Sequence, residues 1–110
     1  MKPLDFKVKG FLFSGISAGI MKDGKRDLGL IYSEVPARVA GLFTTNAVKA
    51  APVQLDRERA KRGLCRAIVV NSGNANACTG SLGLKDATRV SSLVAKRLGI
   101  DEQLVFPSST

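Results

Sequence analysis

Arg66-Ala67-Ile68-Val69-Val70-Asn71-Ser72-Gly73-Asn74-Ala75-Asn76-Ala77-Cys78-Thr79-Gly80 is the stretch on which the fold turns. Ala67 to Val70 is a continuous apolar run, which suits a strand buried on both faces. At Asn71 the composition changes to Asn, Ser, Thr and Gly, residues that bond nearby backbone and hold irregular loops. Beyond the loop, Leu84, Ala87, Val90, Val94 and Leu98 recur at spacings of three and four, which predicts a helix from about Leu82 to Leu98. Gly99 is a suitable stop. In open α/β sheets ligands bind at the ends of strands, so Asn71–Gly80 is a candidate site. The favoured expectation is a self-bonded loop that supports a neighbouring site, ahead of direct ligand contact.

Working outward, Leu104-Val105-Phe106 reads as a short strand running into Pro107-Ser108-Ser109-Thr110. Upstream, Ala50-Ala51-Pro52 opens a helix through Gln54, Leu55, Glu58 and Lys61, with Gly63 as its stop. Gly10 to Ile20 suggests a strand with a bulge or bend, and Met21 to Arg26 a turn marked by Asp23-Gly24. Leu28 to Ser33 reads as a second strand, Glu34-Val35-Pro36 as a turn, and Arg38 to Phe43 as a third strand. The order predicts a mixed layered α/β domain of sheet and helices, residues 1–110 forming one domain or part of one.

The composition excludes several chemistries. There is no histidine, so the commonest general base and metal ligand is missing. Cys65 and Cys78 do not form a CxxC pair, and two free thiols in a reducing cytoplasm are the expectation. No segment reaches the roughly 18 apolar residues of a membrane span. The net charge of +8 raises nucleic-acid binding as a competitor. Only Arg57 to Arg66 is densely basic, however, and with Tyr32 the only tyrosine and no tryptophan a base-stacking platform is hard to assemble. The expectation is therefore no nucleic acid and no membrane.

Gly15-Ile16-Ser17-Ala18-Gly19 fits the G-x-S-x-G nucleophile elbow, but that motif needs a strand-to-helix turn and a histidine. Neither is expected here, and bends explain the glycines better. Gly41-Leu42-Phe43-Thr44-Thr45-Asn46 leaves a strand into polar residues; Thr44 or Thr45 would either bind substrate or cap backbone groups. Ser108-Ser109-Thr110 follows a strand, and a chain that stops on these hydroxyls reads as interrupted. No base lies nearby in the sequence, so a hydrogen-bond donor role is chemically easier than a nucleophilic one.

Taken together, these blocks resemble the ornithine acetyltransferase family, the bifunctional glutamate N-acetyltransferases of arginine biosynthesis. The resemblance covers about Gly10 to Thr110. It rests on Gly15–Ile20, Asp27-Leu28, Pro36-Ala37, Ala40–Asn46, Ala50–Val53, Asn71–Gly80 and Ser109-Thr110, in that order. It implies the DmpA-like α/β fold and a precursor that cuts itself into alpha and beta chains, which assemble as a heterotetramer in the cytoplasm. This chain would be the N-terminal part of the alpha chain, inactive alone, with the rest of the alpha chain and the beta chain as partners. The beta chain's N-terminal threonine would carry acetyl from N-acetylornithine to glutamate by a ping-pong route; some members also accept acetyl-CoA. No metal or organic cofactor is implied. The family's oxyanion-hole threonine falls on Thr110. The competing expectation is a non-catalytic scaffold or interaction domain that keeps the fold.

Overall fold

A computed structural model describes residues 7–19, 24–46, 49–73, 76 and 80–110. The elements are β1 (Phe11–Ile16), β2 (Leu28–Arg38), α1 (Ala51–Ala60), β3 (Leu64–Asn71), α2 (Gly80–Leu98), a 3-10 turn (Glu102–Leu104) and β4 (Val105–Ser109). One sheet has the order β1-β2-β3-β4. The first two pairings are antiparallel and β3–β4 is parallel, so α2 serves as the crossover between them. This is the mixed layered α/β architecture expected.

The apolar run of β3 becomes an interior strand, but its two faces differ. Cys65, Ala67 and Val69 are buried, whereas Arg66, Ile68 and Val70 are half-buried. Ala67 and Val69 meet Ala95 of α2 and Val105 of β4 in the core, with Leu28, Leu30, Tyr32, Val94, Leu98 and Ile100 packed around them. The register sets Phe13, Ile31, Ile68 and Phe106 in a row across the sheet. Phe106 is buried, yet Ile31 and Phe13 are 37% and 44% exposed. Burial on both faces is therefore corrected: no second layer covers this row among the described residues.

α2 forms where the periodicity predicted, beginning two residues earlier. Its buried stripe is Gly83, Ala87, Ser91 and Ala95, small residues at a spacing of four that let the helix lie close to its neighbours. Leu84, Val90 and Leu93 are exposed, so the large apolar residues lie partly off the packed face. Gly99 ends the helix at φ +68, and Ile100 N–H donates to the Ala95 carbonyl in a Schellman cap.

The turn expected at Glu34-Val35-Pro36 and the strand expected at Arg38–Phe43 are both corrected. β2 runs straight through to Arg38. Tyr32 pairs with Ala67 and Ala37 with Cys65, so Ser33–Pro36 stand opposite Arg66 alone, in a bulge. Pro36 has no N–H for the ladder, and a bulge accommodates that defect as well as a turn would. Arg66 brackets the bulge: Nε donates to the Ser33 carbonyl at 3.2 Å and Nη2 to the Tyr32 hydroxyl at 2.8 Å and the Glu34 carbonyl. After Arg38 no strand forms through residue 46. Both sides of β2 and β3 are already paired, and Leu42 lies fully in solvent with nothing to pack against.

α1 has no apolar stripe; it buries Ala51, Pro52 and Arg59. Arg59 is 2% exposed. Its Nη1 donates to the Val105 carbonyl at 2.6 Å and its Nη2 meets Glu102 Oε1 at 3.3 Å, which ties α1 to the start of β4. Glu102 is 35% exposed, so the loss falls mainly on the buried bond to the Val105 carbonyl and on packing, and Arg59→Ala is expected to cost about 2 kcal/mol. Arg62→Ala breaks only a surface pair with Asp101 and is expected to cost far less. Urea midpoints of the two variants of the full-length protein check the contrast.

One turn before Arg59, burial pushes the Asp56 carboxyl up to about 7, against the opposing pull of the Arg59 guanidinium. Asp56 Oδ1 is buried without a hydrogen-bond partner. The folded chain keeps a proton that the unfolded chain, with an ordinary carboxyl near 3.8, releases. Stability from this group is thus full below about pH 4 and is lost as pH rises toward 7. Asp56→Asn is expected to stabilise by about 1–2 kcal/mol at pH 8, allowing for solvent screening, and by nothing at pH 4. Urea unfolding at the two pH values measures this.

Candidate functional site

Because β3 and β4 are parallel, both deliver their C-terminal ends to the same edge of the sheet. Asn71 and Ser109 are the last pair. One residue on, Thr110 N–H donates to the Asn71 carbonyl at 2.9 Å, while Ser109 Oγ donates to Asn71 Oδ1 at 2.6 Å. Asn71 therefore grips the end of β4 with both backbone and side chain.

The described part of the Asn-rich loop is tied to three other segments. Ser72 N–H donates to the Asp27 carbonyl at 2.9 Å. Asp27 is 2% exposed; its Oδ1 accepts from Ala18 N–H at 2.5 Å and its own N–H donates to the Ile16 carbonyl. Asp27 thus closes the open end of the β1–β2 pair and anchors the loop after β3. Asn76 adopts φ +51, a left-handed conformation that Asn tolerates better than most residues. Its Nδ2 donates to the Gly83 carbonyl at 2.9 Å and its carbonyl accepts from Ala51 N–H at 3.1 Å, joining the starts of both helices. Asn74, Ala75, Ala77, Cys78 and Thr79 lie outside the described residues.

These ties frame a cleft of about 320 Å³ at the edge of the sheet. Leu28 and Pro52 supply apolar wall, Asn71, Asn76, Ser108 and Ser109 supply amides and hydroxyls, and α2 contributes Asp86. Thr110 is exposed and follows directly on the wall formed by Ser108 and Ser109. The described lining offers hydrogen-bond donors and acceptors but no imidazole or amine. Such a wall can bind and polarise a carbonyl, and among its described residues the Asp86 carboxylate is the group suited to taking a proton. Among the described residues no cluster of acidic or cysteine side chains could hold a metal ion. A wider groove of about 530 Å³ carries Lys49, Arg57 and Lys61, but Lys61 already pairs with Glu58 and the groove is shallow surface.

Other sequence candidates fall elsewhere. Ser17 follows β1 in a loop, not a strand-to-helix elbow. Thr44 Oγ1 accepts from Asn46 N–H at 3.1 Å, which is local capping, and Thr45 is exposed. Cys65 is a buried free thiol whose pKa burial raises, so it is an inert packing residue. Cys78 lies outside the described residues, as does the first half of the Met21–Arg26 turn, residues 21–23. The dense basic stretch is partly consumed internally: Arg59 is buried, Arg66 brackets the bulge and Arg62 meets Asp101. Asp27 carried no sequence signal of its role beyond its place just before a strand.

Comparison with known proteins fits this geometry. The ArgJ family profile matches residues 12–110. The chain belongs to the ArgJ family. It is 64% identical over 104 residues to the arginine biosynthesis bifunctional protein ArgJ of Syntrophotalea carbinolica and 59% identical to that of Geobacter sulfurreducens. Each alignment takes in 94% of this chain and 26% of the relative, so the chain spans about a quarter of their length. Crystal structures agree. ArgJ of Bacillus halodurans superposes with a TM-score of 0.88 at 43% identity, over 93% of this chain and 53% of that one. The ornithine acetyltransferase of Mycobacterium tuberculosis, solved with ornithine, gives 0.89 at 40% identity, over 93% and 56%. Within the matched span, Asn71 and Ser109-Thr110 are thus the two sides of one corner.

Asn76 tests how firmly that corner is built. Asn76→Ala loses the bond to Gly83 and meets left-handed strain; a cost of about 2 kcal/mol is expected. Asn76→Gly loses the bond without the strain, and should cost less. Thermal unfolding of the full-length variants compares them.

Proposed function

We propose that this chain is the N-terminal part of an arginine-biosynthesis acetyltransferase that moves acetyl from N-acetylornithine to glutamate. The observation that carries the reading is a polar cleft walled by Asn71, Ser108 and Ser109, with Thr110 at its side, in a chain of the ArgJ family. In the first half-reaction an N-terminal threonine hydroxyl on the partner beta chain attacks the acetyl carbonyl, and its α-amine takes the hydroxyl proton. The C–N bond breaks, ornithine leaves with the proton, and an acetyl ester remains. In the second, the glutamate amine attacks that ester, N-acetylglutamate leaves and the threonine is restored. Each tetrahedral intermediate carries an oxyanion, and the Thr110 hydroxyl is its donor from this chain.

The exposed row through Phe13 and Ile31 supports the rest of the alpha chain and the beta chain as partners, since exposed apolar surface of this kind is costly in water. The reading places the enzyme in the cytoplasm and needs no metal or organic cofactor. No helix among the described residues is long and apolar enough to cross a membrane.

The assay is acetyl exchange between N-acetylornithine and glutamate by the full-length protein. Exchange is expected, with Thr110→Ala lowering kcat by about 10²-fold and Thr110→Ser retaining most of it. A full-length protein that catalyses no exchange would instead favour the non-catalytic scaffold. Acetyl release from acetyl-CoA in the same assay determines whether it is a second donor.

A further inference from the structure

We propose that Asn71 is a positioning residue for Thr110, acting through Ser109; the proposal rests on the oxyanion role of Thr110 just given. Thr110 sits one residue past the last pair of the β3–β4 ladder, where a strand end is free to fray. Two bonds from one residue hold it there. The Asn71 carbonyl takes Thr110 N–H at 2.9 Å, which fixes the height of Thr110 along the sheet. The Asn71 side chain takes Ser109 Oγ at 2.6 Å, which fixes the rotation of the strand immediately before Thr110. Both bonds are needed, because a backbone bond alone leaves the peptide free to swing about its own axis.

Asn71 is itself held. Its neighbour Ser72 is tied to the carbonyl of Asp27, and the buried Asp27 carboxylate is in turn bonded to Ala18 N–H. The grip therefore reaches from the edge of the cleft back to the closed end of the β1–β2 pair. An oxyanion donor must stand within a few tenths of an ångström of where charge develops, so loss of this rotational hold appears in the transition state and not in ground-state binding. Asn suits the position better than Asp. Both offer the acceptor, but a carboxylate here would set a fixed negative charge beside a developing one.

The experiment uses the full-length protein, with kcat and KM for N-acetylornithine and glutamate in single and double variants. Asn71→Ala and Ser109→Ala are each expected to lower kcat about tenfold with KM within twofold. The double variant should be no worse than the poorer single, because both remove the same bond. Asn71→Asp should retain the melting temperature yet lose kcat, with part of the loss recovered as pH falls and the new carboxylate protonates. Multiplicative single effects, a rise in KM at unchanged kcat, or full activity in Ser109→Ala would overturn the proposal. Ser109→Ala carries the test should Asn71→Ala fail to fold. Thr110→Ala in the same series separates the two readings: full activity there sinks the oxyanion role itself, whereas a crippled Thr110→Ala beside an intact Ser109→Ala sinks only the positioning role.

Discussion

The parallel pairing of β3 with β4 is the constraint from which the rest follows. Parallel neighbours cannot be joined by a hairpin, so the chain must leave the end of β3, cross over and return. α2 makes that crossing, and its small-residue stripe keeps it close enough to cover Ala67, Val69 and Val105. The same pairing puts both strand ends on one edge. The loop after β3 must begin beside the end of β4, and Asn71 and Thr110 become neighbours although 39 positions separate them in the chain.

Charge serves this arrangement in an unusual way for so basic a chain. α1 contributes no apolar stripe and is instead pinned by a buried guanidinium that satisfies the Val105 carbonyl at the start of β4. Arg66 similarly holds together a bulge that would otherwise leave carbonyls of Ser33 and Glu34 unmet. A buried arginine is worth most as a clamp on backbone oxygens, where its fork of donors matches several acceptors at once. Part of what composition presents as a basic surface is therefore internal scaffolding, which weakens the case for a polyanionic partner.

The elements with a clear local signal were legible in the sequence: the apolar run of β3, the period of α2, the Pro52 and Gly63 signals of α1 and the apolar start of β4. The position of the cleft was legible too, because polar, turn-forming residues followed a buried strand. Three things were not. Pro36 signals a break in ladder bonding, and a turn and a bulge break it equally; the choice depends on Arg66, thirty residues away. The strand expected at Arg38–Phe43 had suitable residues, but its neighbours β2 and β3 are already paired on both sides, which only topology decides. Arg59 looked like a surface cation, and its burial depends on where β4 runs.

The half-buried faces sharpen what the cleft needs. β3 was expected to be covered on both sides, and apolar residues lie on both, yet among the described residues a layer covers one side only. The row from Phe13 to Phe106 therefore has the chemistry of a core without a second wall. The cleft is incomplete in another way: its described lining offers amides, hydroxyls and the Asp86 carboxylate, but no imidazole or amine. On the proposed reading the two are met separately: further protein packs on the open face, and the nucleophile reaches the cleft on the α2 side, where Asp86, Ala87 and Val90 line it. On the proposed reading, the rigidity at Asn71 then has a clear purpose. On that same reading the oxyanion donor and the nucleophile would come from different segments, each fixed within its own part before they meet, and the β3–β4 corner would be where this chain fixes its share.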